Sequence, residues 1–273
     1  MVAPSNSPAV AVYCAASIGK VKAFQLAALS LGHALASARR PLVYGGANTG
    51  IMGVISGAVL DGGGKVTGII PYAIYAAGGE KDKGDGVVKA ASVAEALDER
   101  RRGEIVVNSM HERKVEMAKR VGGFVGLPGG FGTFEEILEV ITWNQLNIHN
   151  KPVVLLNVHS YWEPLRELIR NGIREGLIRP QSERLVVFVD GPADHAQHET
   201  FDWGQASLNA LNSWQPDQVQ PLPFYWTHDV DSSDMSKVPV PVPESPQKVG
   251  WLRKVWHVRA RSHTPFFRER AHL

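Results

Sequence analysis

One cysteine, Cys14, stands alone in 273 residues, which excludes an internal disulfide and suits a reducing compartment. No run approaches the ~20 consecutive apolar residues of a membrane-spanning helix. The first residues lack the basic-then-apolar order of a secretory signal, because residues 10–16 read as a short strand. A cytoplasmic location is therefore expected, with no membrane partner. Charge of one sign is missing too. The 29 Lys and Arg against 27 Asp and Glu leave a formal net charge of +2, so nothing argues for a nucleic-acid partner. Several catalytic signatures are absent: no Cys/His set with zinc spacing, no H-E-x-x-H and no G-x-S-x-G elbow. Neither a metal nor a cofactor is expected.

What is present is an alternation of short β-rich runs with longer helical stretches over residues 10–189. Strands are read at 10–15, 42–44, 65–70, 104–107, 123–127, 153–158 and 185–189. Helices are read at 21–38, from the turn at 45–50 to about 60, and at 92–102, 110–121, 134–146 and 161–175. Strands apolar almost throughout, alternating with helices, predict an α/β fold: a Rossmann-like, doubly wound parallel sheet with helices on both faces. Residues 78–86 are charged and glycine-rich and read as a loop. Residues 1–213 are assigned to this domain, and 214–273 to an irregular Pro-rich, basic C-terminal extension carrying Pro216, Pro221, Pro223, Pro239, Pro241, Pro243 and Pro246. Because the α/β pattern is complete by Val189, a chain ended at 204–211 is expected to fold and act.

The most informative stretch is Pro128-Gly129-Gly130-Phe131-Gly132-Thr133-Phe134-Glu135-Glu136. Its three glycines leave a turn without side chains, so backbone N–H groups can converge on an anion. Thr133 is read as opening the helix, whose free N–H groups and positive dipole end favour a phosphate. Glu136 has two readings. Thr133 and Glu136 fit a T-x-x-E capping box, which would give the carboxylate a structural task. Alternatively the turn leaves the cap free for phosphate, and Glu136 free for chemistry. Glu135 and Glu139 lie four apart on a helix face that reaches Thr142 one turn later.

A second stretch, Met110-His111-Glu112-Arg113-Lys114, follows a strand. Ser109 with Glu112 fits a capping box. His111, Arg113 and Lys114 crowd the helix end at which the dipole is already positive, so a compensating anion is expected nearby. A guanidinium suits phosphate because it donates two parallel bonds. The alternative is an ordinary surface pair of Arg113 with Glu112 or Glu116. A third unit, Tyr44-Gly45-Gly46-Ala47-Asn48-Thr49-Gly50-Ile51-Met52-Gly53, is another strand–turn–helix. It lacks the G-x-G-x-x-G spacing and the Lys-Ser/Thr ending of a P-loop, so its glycines serve either a nucleotide or tight packing.

Together these motifs resemble the Lonely Guy (LOG) family of cytokinin riboside 5′-monophosphate phosphoribohydrolases. The family signature PGGxGTxxE is matched from Pro128 to Glu136, and Met110–Lys114, the YGG turn and the run Glu139-Val140-Ile141-Thr142-Trp143-Asn144 are similar too. The likeness covers about residues 9–190. It implies hydrolysis of an N-glycosidic bond, releasing an adenine-type base and ribose 5-phosphate, with Arg113 and Glu136 catalytic. By the same resemblance Met110, Lys114, Gly129, Gly130, Phe131, Gly132, Thr133, Phe134, Glu135 and Thr142, with Gly45 and Gly46, fall on positions that bind the nucleoside 5′-monophosphate. Glu80 matches a further acidic contact. A homodimer with sites near the interface is implied. The family has often carried the label "lysine decarboxylase", but no pyridoxal-phosphate motif is recognisable. Two other functions stay open: a nucleoside 5′-monophosphate nucleosidase of broader range, and a non-catalytic carrier or sensor of a phosphorylated ligand. The paired Arg113 and Glu136 argue against the carrier, since pure binding has no need of that Glu.

Overall fold

A computed structural model describes residues 8–76 and 102–215. Seven strands, β1 (Ala9–Tyr13), β2 (Leu42–Tyr44), β3 (Val66–Pro71), β4 (Arg102–Val107), β5 (Val121–Gly126), β6 (Val153–Asn157) and β7 (Val187–Asp190), form one sheet in the order β4-β3-β2-β1-β5-β6-β7. Every pairing is parallel. The helices are α1 (Lys22–Ser37), α2 (Gly50–Asp61), α3 (Tyr72–Ala76), α4 (Met110–Arg120), α5 (Phe131–Gln145), α6 (Glu163–Arg174) and α7 (Trp203–Ser213).

The two-residue period of a strand splits the core in two. Val10, Val12, Leu42, Val125, Val154 and Leu156 face one side, with Leu31 and Leu35 of α1, Ile55 of α2 and Leu208 of α7. Ala11, Tyr13, Val43, Phe124, Val153 and Leu155 face the other, with Val115 and Met117 of α4 and Ile137 and Val140 of α5. The sheet is thus covered on both faces, as its apolar strands predicted.

Chain direction across the sheet reverses between β1 and β5. The first four strands run outward to one edge, and β5 to β7 run to the other. Crevices for ligands open at such a switch point, beyond the carboxyl ends of the strands. Here Tyr13 ends β1 beside Gly126 of β5, and the Leu127 N–H donates to the Tyr13 carbonyl at 3.0 Å. The glycine turn emerges one residue later.

Several boundaries differ from the sequence reading. Helix α5 starts at Phe131, with Gly130 as its N-cap residue, rather than at Thr133. Arg102 opens β4 instead of closing a helix. The rest of the helix expected at 92–102, the loop at 78–86 and Glu80 lie outside the described residues, as does the extension beyond Gln215.

Helix α7 was not anticipated, since no strand follows it. Asp202 caps it by accepting the Gln205 N–H at 2.9 Å, and the Gly204 N–H donates to Ser30 Oγ of α1 at 2.9 Å. Trp203, Leu208 and Leu211 are buried in the core that α1 shares. A chain ended at 204–211 therefore loses core, contrary to the expectation from pattern alone. Truncating a buried Leu to Ala costs about 2–5 kcal/mol, against a total of roughly 5–15 for a domain. Such a truncation is expected to be insoluble or to melt far below the full chain; an unchanged melting temperature would mean that α7 contributes no stability.

Candidate active site

The two singled-out motifs meet beyond the switch point. Helix α4 starts with a capping box: Ser109 Oγ accepts the Glu112 N–H at 3.0 Å, and Glu112 Oε2 accepts the Asn108 N–H at 2.7 Å. That engages Glu112. Glu116 is engaged by Arg120 at 2.8 Å and by Lys119 at 3.8 Å. Arg113 pairs with neither, so the ordinary surface pair is not what forms. Its side chain turns inward, and its Nη2 lies 3.8 Å from Glu136 Oε1, with only 6% and 10% of the two side chains exposed.

This Arg–Glu contact is an ion pair too long for a hydrogen bond. Arg113 Nε is buried without a partner among the described residues, and Nη1 finds only the Met110 sulfur at 4.0 Å. A guanidinium carries five N–H donors, and leaving buried ones unused is costly. Such a group stays ready for a ligand's oxygens. Gly45 makes room for it: a Cβ there would stand 2.3 Å from Arg113 Nη2. Gly46 answers to the fold instead, at φ +90° with a Cβ position 2.4 Å from Ile70. The two glycines of the YGG turn thus divide the nucleotide and packing readings between them.

The capping reading of Glu136 does not survive. With Gly130 as N-cap, no side chain caps α5, and Thr133 lies buried in its first turn. The T-x-x-E pattern is real, but it sits three residues inside the helix, where Glu136 has turned to Arg113. The first intrahelical bond runs from the Phe134 N–H to the Gly130 carbonyl at 3.0 Å. The N–H groups of Phe131, Gly132 and Thr133 precede it and have no helical acceptor. Gly130 and Gly132 face open space, since a Cβ on either would meet nothing within 4 Å.

Lys114, the next residue of α4, reaches α5 as well. Its Nζ donates to Glu135 Oε1 and lies 2.9 Å from Glu139 Oε2. Burial pulls its pKa down, but the bonds to both glutamates outweigh burial, and the pKa ends above the ordinary lysine value. Lys114 is a locked ammonium. Of the other expected residues, Phe134 packs inward on Tyr161 and Trp162, whereas Phe131 is 90% exposed and Met110 is exposed as well. Thr142 is exposed about three turns along α5, its hydroxyl donating to the Leu138 carbonyl at 2.8 Å, and is not joined to the pair. Cavities of about 670 Å³, among Arg166, Arg170 and Arg184, and about 840 Å³, between α1 and the start of α7, lie elsewhere. Among the described residues, no group of three or more His, Cys, Asp or Glu could hold a metal.

Tyr13, the last residue of β1, is a buried neighbour of this pair. It is 2% exposed, and its hydroxyl has no partner among the described residues. Burial first, then the negative charges of Glu136, Glu139 and Glu135, hold its pKa well above the usual tyrosine value, with Arg113 opposing. Tyr13→Phe removes an unsatisfied buried hydroxyl and keeps the ring stacked on Phe124. It is expected to leave stability unchanged or raise it by about 1 kcal/mol, read by urea unfolding. A clear loss would mean that the hydroxyl has a partner.

Fold and geometry place the chain in the class of Rossmann-like α/β proteins with an open helix N-terminus and a buried Arg–Glu pair at the switch point. Comparison with known proteins narrows this. The family model described as "Possible lysine decarboxylase" matches residues 52–198. The "Probable cytokinin riboside 5′-monophosphate phosphoribohydrolase LOGL5" of Oryza sativa subsp. japonica is 43% identical over 185 residues, 68% of this chain and 68% of that protein. The rice protein LOGL2, of the same description, is 42% identical over 221 residues, 80% of this chain and 83% of that one. The "Cytokinin riboside 5′-monophosphate phosphoribohydrolase LOG3" of Arabidopsis thaliana is 43% identical over 178 residues, 65% and 75% of the two chains. The chain belongs to the Lonely Guy (LOG) family. Among solved structures, the molybdenum cofactor carrier protein MCP of Chlamydomonas reinhardtii aligns over 76% of this chain and 99% of its own, with 18% identity and a TM-score of 0.46. That likeness is too distant to bear on ligand or activity.

Proposed function

We propose that this protein hydrolyses the N-glycosidic bond of cytokinin riboside 5′-monophosphates, releasing the free base and ribose 5-phosphate. The observation that carries the reading is the buried, under-bonded Arg113 facing Glu136 beside an open helix N-terminus. The relatives' names supply the substrate class.

The 5′-phosphate seats on the N–H groups at the start of α5, where the helix dipole favours an anion. That contact is remote from the bond that breaks, so its binding energy serves to position the sugar. Cleavage proceeds through an oxocarbenium-like state, by analogy with other glycosyl transfer. Water attacks C1′, the C1′–N9 bond breaks, and its electron pair leaves with the base, which takes up a proton. Glu136 stabilises the developing cation and accepts the proton of the water. Arg113 holds Glu136 in place and offers its unused donors to the phosphate–ribose end. Lys114 orders Glu135 and Glu139 around the site.

Amine chemistry of the kind the family description suggests is disfavoured by the lysines themselves. A Schiff base needs an uncharged amine, and Lys114 is a locked ammonium. Lys151 has its pKa lowered by burial, but it lies at the amino end of β6, donating to the Ala118 carbonyl at 2.6 Å, away from the crevice.

A nucleotide panel tests the reading. Isopentenyladenosine monophosphate is expected to be cleaved faster than AMP, and the free riboside poorly. Equal rates on all purine and pyrimidine monophosphates would instead favour the broader nucleosidase. Exposed Met110, Phe131 and Leu138 beside the site support a homodimer, checked by light scattering. No helix among the described residues is long and apolar enough to cross a membrane, and a cytoplasmic location is proposed. The segment from 216 onward is proposed to be dispensable: a chain ended after Gln215, which keeps α7, retains turnover.

A further inference from the structure

We propose that Tyr161 is a positioning residue that sets the phosphate cradle, an inference that rests on the reading above. Its hydroxyl donates to the Gly129 carbonyl, in the glycine turn itself. A peptide unit is planar and trans, so its C=O and N–H point in opposite directions, and no cis bond occurs among the described residues. Anchoring the Gly129 carbonyl on Tyr161 therefore directs the Gly130 N–H to the opposite side. Gly130 is the N-cap of α5, so this N–H joins those of Phe131, Gly132 and Thr133 at the anion end of the helix. Without the anchor, the peptide plane between two adjacent glycines turns more freely, because glycine resists rotation least.

The surroundings of Tyr161 fit a residue held for such a purpose. Its ring is pinned by Phe24 at 5.7 Å and Phe134 at 6.4 Å between centroids. The chain reaches it through two consecutive non-glycine residues in the left-handed region, His159 at φ 51° and Ser160 at φ 58°. Each costs on the order of 1 kcal/mol or more, and strain of this kind persists only where neighbours over-determine it. They do so here. The His159 N–H donates to His198 Nδ1 at 3.0 Å, and His198 Nε2 is bonded to the Pro192 carbonyl at 2.7 Å. Beyond Tyr161, the Trp162 N–H donates to Asn157 Oδ1 at 2.8 Å. This turn between β6 and α6 carries the Tyr161 hydroxyl to the glycine loop from a separate part of the chain.

The test compares wild type with Tyr161→Phe, which keeps the ring and removes only the hydroxyl. Three quantities are read: kcat/KM on isopentenyladenosine monophosphate, kcat/KM on its riboside, and the affinity for inorganic phosphate by calorimetry. The inference expects the monophosphate-to-riboside ratio and the phosphate affinity each to fall about tenfold, the scale of one hydrogen bond lost, with the riboside value unchanged. Equal losses on both substrates, with phosphate affinity unchanged, would indicate a purely structural residue and overturn it. So would a lowered melting temperature with the ratio intact. Should the wild type cleave neither substrate, the proposed activity fails, and the phosphate affinities of the two proteins still decide the role of Tyr161.

Discussion

Glu136→Gln is expected to fold and to lose turnover by about 10²- to 10⁴-fold, the contribution of a positioned acid–base group. Because Gly130, and not Thr133, is the N-cap of α5, the substitution is not expected to unravel the start of the helix. The amide oxygen still faces Arg113, so the stability loss is that of weakening one charge-assisted contact, about 1–3 kcal/mol. Turnover and urea unfolding, measured on the same preparation, separate the two effects. Near-normal turnover with reduced stability would make Glu136 a counter-ion for Arg113 and nothing more.

Arg113→Ala is expected to be worse on both counts. It leaves Glu136 largely buried opposite an empty space that Gly45 cannot fill, and breaking a buried pair from one side costs about 3–5 kcal/mol. Turnover of 5′-monophosphates is expected to fall about 10²- to 10³-fold, the loss on removing one preorganised electrostatic donor. Arg113→Lys restores a charge but not a planar fork, and Nη2 is the atom that lies against both Gly45 and Glu136. Partial rescue is therefore expected. Full activity in the Lys variant would show that a point charge suffices.

Much of the fold was legible because both strand and helix periods were unbroken and glycines punctuated them. The residues of the candidate site drew attention for a related reason. Cations at the wrong end of α4 and side-chain-free turns both carry a local cost that calls for an explanation. Arg113 and Glu136 were set together by the family resemblance, but spacing alone offered Glu112 and Glu116 as nearer and equally acidic partners. What excluded them was the capping box that Ser109-x-x-Glu112 had offered and an i,i+4 pair of Glu116 with Arg120, which the geometry assigned. The start of α5 was misjudged for a physical reason. A Thr-to-Glu spacing matches a cap wherever it occurs, but here Gly130 turns the chain into a helix three residues earlier. Tyr161 was hidden by its distance along the chain from Gly129.

The most direct measurement quantifies both products from isopentenyladenosine monophosphate in one reaction, with wild type and Glu136→Gln side by side. Free isopentenyladenine and ribose 5-phosphate are expected in equal amounts from the wild type, with neither accumulating at a comparable rate in the variant. Nucleotide recovered intact after binding would make the protein a carrier. Inorganic phosphate and the riboside as products would contradict N-glycosidic cleavage altogether.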